Sequence, residues 1–79
     1  MKLFVANFDE DMTEEDLEEI FRDYGKVNSV KIWIDFDSGK SKGFGFVEMP
    51  DDYEAETAID RLDGTRWRGR RLKVAKARS

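Results

Sequence analysis

The sequence predicts an α+β fold with four strands and two helices in the order β-α-β-β-α-β. Three observations support this prediction. Four short segments alternate apolar and polar residues as strands do, and two longer segments carry apolar side chains along one helical stripe. Glycine-containing turns separate the segments, and 79 residues suffice for one small domain. Because both helical stripes must be buried, we expect both helices on one face of a four-stranded antiparallel sheet.

The four predicted strands are short and of mixed polarity. They span residues 2–6, 27–34, 42–49 and 72–77. Alternate side chains of a strand lie on opposite faces of the sheet. In the second strand, this rule places Val30, Ile32 and Ile34 on one face. Lys31 and Trp33 lie on the other face.

The first predicted helix follows Thr13, and both of its ends carry a signal. Thr13 suits the N-cap and Asp16 suits the third helical position, which gives an Asp variant of the capping box. The apolar stripe consists of Leu17, Ile20, Phe21 and Tyr24. Gly25 is expected to end the helix as its C′ residue.

The second predicted helix follows Pro50. Asp51 can cap it, with Glu54 at the third helical position. Gly64 is expected to terminate this helix, and residues 65–71 to form a small hairpin around Gly69. The small residues of the stripe allow close packing on a sheet: Ala55, Ala58, Ile59 and Leu62.

The order of elements predicts a ferredoxin-like βαββαβ sandwich with the first and third strands in the centre. Neither repeats nor linker-like segments interrupt the chain, so we interpret residues 1–79 as a single domain. One face of the sheet, called here the open face, is expected to have no helix over it. The side chains on that face should therefore decide the function.

The composition narrows the classes of function. The chain has no cysteine and no histidine, which removes the commonest nucleophile, general base and metal ligand. We therefore expect no enzyme activity, no catalytic or metal-binding residues, no cofactor and no small-molecule substrate. No apolar run approaches the length of a membrane span, so we expect a cytoplasmic, monomeric protein without membrane contacts.

The net charge of −4 at first argues against a nucleic-acid ligand, because basic surfaces are the usual sign of one. Nine acids lie within residues 9–23, whereas eight bases lie within residues 61–79. If these segments lie on opposite sides, the molecule is a dipole. Acids beyond a Debye length of about 8 Å repel phosphate only weakly. Binding should still be weaker and more salt-sensitive than in a basic homologue.

Residues 42–49 read Lys-Gly-Phe-Gly-Phe-Val-Glu-Met and are the most informative segment. Alternation places Lys42, Phe44, Phe46 and Glu48 on one face, so two rings and a cation would be exposed on an open sheet. The octapeptide resembles the RNP1 signature of the RNA recognition motif family and matches six of its seven specified positions. Met49 departs from the final aromatic position, but it belongs to the inward-facing set and should not affect the binding face.

Residues 3–8, Leu-Phe-Val-Ala-Asn-Phe, resemble the RNP2 hexamer of the same family, with Phe4 in its stacking position. The resemblance covers essentially the whole chain and points to the small, single-domain bacterial members. It implies that single-stranded RNA binds to the open face with limited sequence preference. Single-stranded DNA is a second candidate ligand.

The resemblance also implies roles for individual residues. Phe4 and Phe46 should each stack under a base, and Phe44 should lie against sugars. Lys42 should pair with a phosphate. Trp33 is open to two interpretations, because a tryptophan on the flanking strand can stack a further base or serve packing. The other predicted contacts are basic residues on or near the open face: Lys2, Lys31, Lys73 and Arg78.

Two other classes of function remain as alternatives. Protein-binding relatives of this fold tend to have an acidic first helix, as here, and an Arg-x-Phe loop, for which the nearest segment is residues 66–68, Arg-Trp-Arg. They usually lack the RNP aromatic residues, which this chain retains. Acylphosphatases share the order of elements but need an arginine in the first loop. Here residues 7–12 are acidic and would repel phosphate.

Overall fold

The computed structural model describes residues 1–77. In chain order the elements are β1 (Lys2–Ala6), α1 (Glu14–Arg22), β2 (Ser29–Ile34), β3 (Ser41–Glu48), α2 (Asp52–Leu62), β4 (Arg66–Trp67), β5 (Arg70–Arg71) and β6 (Lys73–Lys76). The antiparallel sheet has the strand order β2-β3-β1-β6, while β4 and β5 pair as a separate hairpin. The predicted α+β, ferredoxin-like arrangement is thus confirmed, with the first and third strands in the centre.

Helix α1 begins as predicted but ends earlier. The Thr13 hydroxyl accepts a hydrogen bond from the Asp16 N–H at 3.1 Å, and the Thr13 N–H donates to the Asp16 carboxylate at 3.0 Å. These two bonds complete the capping box. The C-cap is Asp23, so the prediction that Gly25 is the C′ residue was wrong. The helix tightens at its end, where the Tyr24 N–H donates to a carbonyl three residues back.

Helix α2 has the predicted signals at both ends. The Asp51 carboxylate accepts a hydrogen bond from the Glu54 N–H at 3.0 Å. Gly64 follows the C-cap Asp63 with a φ of +83°, the left-handed conformation that glycine adopts at low cost. The Gly64 N–H then donates to the Leu72 carbonyl at 2.7 Å, which leads the chain into the hairpin.

Both helices pack on the same face of the sheet. The buried cluster takes Leu3, Val5, Ile32, Val47 and Val74 from the strands, Leu17, Ile20 and Phe21 from α1, and Ala55, Ala58 and Leu62 from α2. Met49 is fully buried with them, as its inward-facing position predicts. Within residues 1–77, the open face therefore has no helix over it. Neither of the helices described there is long and apolar enough to cross a membrane.

The pairing of β3 with the edge strand β2 contains a bulge. Its pairing with β2 is regular up to Ile32–Gly45 and resumes at Ile34–Ser41, so one residue of β2 faces three residues of β3. Gly43 lies in this bulge with a φ of +82°, which favours glycine. Ile34 was predicted to share the face of the buried Ile32. It is 48% exposed at the end of β2, and it lines a groove together with Ile32 and with Met12 and Glu14 at the start of α1.

Glycine is needed at position 45 for a different reason than at position 43. A Cβ atom at Gly45 would meet the carbonyl oxygen of Lys31 on the neighbouring strand. Glycine is needed here because the two backbones approach closely, not because the chain turns. The two glycines of residues 42–49 therefore shape strand β3 itself, while Phe44 and Phe46 remain on its surface.

One pair of residues joins the acidic segment to the basic segment at the hairpin. Nη2 of Arg68 lies 3.2 Å from Oδ2 of Asp16 on α1. The hydrogen bond from the Thr13 N–H, together with this guanidinium, lowers the pKa of Asp16 below its ordinary value. At Arg68, therefore, the acidic and basic segments are in contact and do not lie on opposite sides.

Candidate nucleic-acid interface

The register of the strands brings RNP1 and RNP2 together on the open face. Lys31 of β2 lies opposite Phe46 of β3, and Phe46 lies opposite Phe4 of β1. Ala75 of β6 completes this row on the other side of Phe4. Antiparallel pairing thus aligns two phenylalanines that are far apart in the sequence.

The two flanking rows supply a further ring and several charged groups. Ala6 of β1 lies between Phe44 of β3 and Lys73 of β6. On the other side, Lys2 lies opposite Glu48, the acidic residue that the alternation places on this face. The alanines next to Phe4 are small, so the surface beside its ring stays open.

Four rings form a connected group, called here the aromatic cluster: Phe4, Trp33, Phe44 and Phe46. The Phe4 centroid lies 5.7 Å from that of Phe46 and 6.3 Å from that of Phe44. The Trp33 centroid lies 5.6 Å from Phe46 and 6.2 Å from Phe44. The rings are mutually tilted by 37° to 72°, the range in which aromatic pairs attract each other. Each ring therefore helps to fix the orientation of its neighbours.

The aromatic cluster is only partly covered by the rest of the protein. Its three phenylalanines are half-buried, and Trp33 is 36% exposed. The structure thus places Trp33 beside Phe44 and Phe46, on the face that the alternation predicts. Whether Trp33 contacts a ligand stays a prediction.

Lysine ammonium groups lie directly over two of the rings. Nζ of Lys2 is 4.4 Å from the Phe46 centroid, and Nζ of Lys31 is 5.1 Å from a ring centre of Trp33. These distances are within the range of cation–π attraction. Within residues 1–77, the ion pairs involve none of the lysines predicted to bind phosphate. All four of these lysines are exposed: Lys2, Lys31, Lys42 and Lys73.

Arg78, the remaining predicted contact, lies outside the described residues. The last described residue, Ala77, continues the pairing with β1, because its N–H donates to the Lys2 carbonyl at 2.9 Å. Its predicted role stays a prediction.

The arrangement is suited to binding unpaired bases. Flat apolar rings stack on the faces of nucleobases, and ammonium groups beside them neutralise phosphate. Within residues 1–77, no group of three or more acidic side chains is placed to hold a metal ion.

Phe36 is not among the predicted contacts, yet it is the most exposed aromatic residue of the protein. Phe36 is 100% exposed in the turn between β2 and β3. Together with Trp33, Ile34 and Lys42 it lines a concavity at the outer edge of β2. The available signal was an aromatic residue between Asp35 and Asp37, in a turn where a polar residue is the norm.

These features define a class of small α+β domains that present aromatic side chains on an uncovered sheet face, with lysines around them. The sequence model of one family, described as RNA recognition motif, matches residues 3–73. The chain belongs to the RNA recognition motif family.

The comparisons agree on family and fold. RbpB of Nostoc sp. (strain PCC 7120), whose name proposes RNA binding, is 47% identical over 78 residues, which are 99% of this chain and 76% of RbpB. This relative confirms the resemblance to small bacterial members. The crystal structure of RNA Binding Protein PG1 superposes with a TM-score of 0.93 at 40% identity and covers 98% of this chain and 93% of PG1. An Sxl-lethal protein/RNA complex gives a TM-score of 0.92 at 36% identity, covering 99% of this chain and 47% of that one.

Proposed function

We propose that residues 1–79 are a single RNA recognition motif domain that binds single-stranded RNA on the open face. The observation that carries this proposal is the aromatic cluster, four mutually supporting rings on a sheet face that neither helix covers. Two proteins with which the chain shares its fold and family are named for RNA: PG1 is an RNA-binding protein, and the Sxl-lethal chain is bound to RNA.

Each ring has its own role in this proposal. Phe4 and Phe46 stack one base each, Phe44 packs against the sugars between them, and Trp33 stacks a further base. Lys42 binds a phosphate. The other basic residues assigned to phosphate are Lys2, Lys31, Lys73 and Arg78.

Two lysines change partners when RNA binds in this way. Nζ of Lys2 lies over Phe46 and Nζ of Lys31 over Trp33, where the bases would stack. An exposed cation–π contact is worth about 0.5–1 kcal/mol. A stacked base contributes roughly 1–3 kcal/mol. The base therefore displaces the ammonium group, which remains close enough to meet the phosphate of the same nucleotide.

The expected affinity is moderate. Two or three stacked bases, less the cost of ordering a flexible strand, correspond to a dissociation constant on the order of micromolar. The net charge of −4 adds a repulsion between the protein and the phosphates, so part of the attraction from the lysines is cancelled.

The test is the double substitution Phe44→Ala with Phe46→Ala. We expect it to abolish binding to a panel of single-stranded oligoribonucleotides, measured by fluorescence anisotropy, while circular dichroism shows an intact fold. Tyr53→Ala is the matched control, because this tyrosine is 79% exposed on α2, away from the open face. Unchanged affinity of the double variant would refute the proposal.

The alternative function is a protein-binding module, and one observation favours it. A groove between α1 and the hairpin is lined by Met12, Asp16, Glu19, Ile20, Asp23, Trp67 and Arg68. However, the half-buried Trp67 packs against the core and its Nε1–H donates to Thr65 at 2.9 Å, while Arg68 pairs with Asp16 across the groove. Binding of a basic peptide that is lost in Trp67→Ala and retained in the double phenylalanine variant would favour this alternative.

The proposal extends to DNA binding, to the oligomeric state and to the cellular location. We propose single-stranded DNA as a weaker ligand, and matched RNA and DNA oligonucleotides test it. The monomeric state and the cytoplasmic location remain predictions, which sedimentation and cell fractionation test.

A further inference from the structure

A concavity of about 230 Å³ lies on the open face, where β2 begins and β3 ends. Its lining includes the rings of Trp33 and Phe46 and the side chains of Lys2 and Glu48. Pockets that hold drug-sized ligands measure about 300–1,000 Å³, so this smaller one has room for a single flat base. The concavity adjoins the ring of Phe46, on which the proposed function stacks a base.

Glu48 is the one acid that the described strands present on the open face. The other side chains there are aromatic rings, lysines, alanines and a serine. A carboxylate on this surface repels the phosphates that the lysines attract. Its presence therefore needs a reason other than attraction of the RNA backbone.

The carboxylate of Glu48 is available to accept hydrogen bonds from a ligand. Within residues 1–77, it takes part in none of the ion pairs and none of the side-chain hydrogen bonds. Lys2 lies directly opposite on β1, but its Nζ lies over the ring of Phe46, 4.4 Å from the centroid. An ionised carboxylate has two oxygens that only accept, so it recognises donors on a ligand.

A base stacked on Phe46 brings its edge within reach of Glu48. The two residues share a face of β3 and lie two positions apart, which corresponds to about 6.6 Å along a strand. Both line the same concavity. A stacked base extends beyond the ring beneath it, and the long side chain of Glu48 then meets its hydrogen-bonding edge.

The donors on that edge decide which base fits a carboxylate. Unpaired bases are recognised through their Watson–Crick and Hoogsteen edges. On its Watson–Crick edge, guanine carries two neighbouring donors, N1–H and the N2 amino group, which match the two carboxylate oxygens. Adenine and cytosine carry an amino group next to a ring nitrogen that accepts, and uracil carries one N–H between two carbonyls. In these three bases, an acceptor would face a carboxylate oxygen and repel it.

We propose that Glu48 selects guanine for the base that stacks on Phe46. One carboxylate oxygen accepts from N1–H and the other from the N2 amino group, as charge-assisted hydrogen bonds. The positive charge of Lys2 offsets the repulsion between this carboxylate and nearby phosphates. The inference rests on the proposed function and deepens it, because it names the preferred base at one position, whereas stacking on the other rings tolerates every base.

The test compares oligouridines that differ only at one central nucleotide, which is uridine, adenosine, cytidine, guanosine or inosine. Inosine keeps the N1–H of guanosine but lacks the N2 amino group. Wild type should bind the guanosine oligonucleotide at least about fivefold more tightly than the all-uridine one, with inosine between them. Fluorescence anisotropy at one fixed salt concentration measures these affinities.

Glu48→Gln is the decisive variant, because its amide keeps the shape of the side chain but offers one acceptor and one donor group. Its affinities for the guanosine and inosine oligonucleotides should become nearly equal. Loss of a negative charge favours all oligonucleotides alike, so the ratio of the two affinities is the quantity to compare. Glu56→Gln is the matched control, since this exposed residue of α2 loses the same charge away from the open face and should keep the wild-type ratio.

Three results would contradict these expectations. If wild type binds all five oligonucleotides equally, or prefers a base other than guanine, the role of Glu48 is overturned while the stacking site stays intact. If the preference for guanosine over inosine persists in Glu48→Gln, another residue makes the selection. If wild type binds no oligonucleotide at all, the proposed function itself is overturned.

Discussion

Trp33→Ala tests whether Trp33 stacks a base or only packs against the other rings of the aromatic cluster. The centroid of the Trp33 ring lies 5.6 Å from that of Phe46 and 6.2 Å from that of Phe44. Nζ of Lys31 lies over the indole, 5.1 Å from a ring centre. If Trp33 stacks a base, the substitution removes roughly 1–3 kcal/mol of binding free energy. The dissociation constant should therefore rise about 5- to 150-fold.

The same substitution also lowers stability. Trp33 takes part in two aromatic pairs, each worth about 0.5–1.5 kcal/mol beyond the area that it buries. The free energy of unfolding should thus fall by roughly 1–3 kcal/mol. Trp33→Phe is the matched control, because it keeps a ring at the position and should retain most of both contributions.

The assay uses Trp33 as its own reporter. In a Trp67→Phe background, Trp33 is the only tryptophan, since the sequence contains two. Its emission should be quenched on titration with a single-stranded oligoribonucleotide, and urea denaturation gives the stability of each variant. Absence of quenching, together with a Trp33→Ala variant that is less stable but binds normally, would refute the stacking role and leave only packing.

Two further predictions concern charge. Lys42→Ala should reduce the slope of log K against log salt by about 0.7, the value per phosphate on a single strand, and an unchanged slope would remove Lys42 from the contacts. Because its folded-state pKa is lowered, the Asp16 carboxylate stabilises the fold above the unfolded-state pKa, and this contribution is lost as the pH falls through the lowered value. The stability difference between wild type and Asp16→Ala, measured by denaturation, should be full at neutral pH and shrink in acid; a difference that is constant with pH would contradict the assignment.

Local sequence signals were sufficient to predict the elements of the fold. Thr13 and Asp51 cap their helices as predicted, because capping needs only the residue and its neighbours within one turn. The prediction for Gly25 was wrong, because α1 tightens and ends before reaching it. Gly64 could be predicted, since it directly follows the last turn of α2 and adopts the left-handed conformation.

Strand alternation predicted which side chains lie on the open face but not the bulge between β2 and β3. Phe4, Phe44 and Phe46 lie together as expected, because alternation with a period of two survives in the regular part of the sheet. Ile34 is nevertheless 48% exposed, since it is the last residue of β2 and lies where the pairing with β3 is irregular. A bulge depends on how two strands meet, and the sequence of one strand does not specify it.

Long-range contacts between loops and helices were beyond the reach of sequence patterns. The pairing of Arg68 with Asp16 joins segments that are distant in the chain, and the sequence left open whether these segments lie on opposite sides. The position of Phe36 beside Trp33 likewise depends on the turn between β2 and β3. The sequence places an aromatic residue between two acids in that turn but does not indicate what the ring adjoins.

The most direct test of the central claim is an NMR titration with a single-stranded oligoribonucleotide that follows the ring protons of the aromatic cluster. Intermolecular nuclear Overhauser effects should connect base protons with the rings of Phe4, Phe44 and Phe46. Ring signals that stay unchanged, with shifts concentrated instead at Ile20 and Trp67 in the groove between α1 and the hairpin, would contradict RNA binding on the open face.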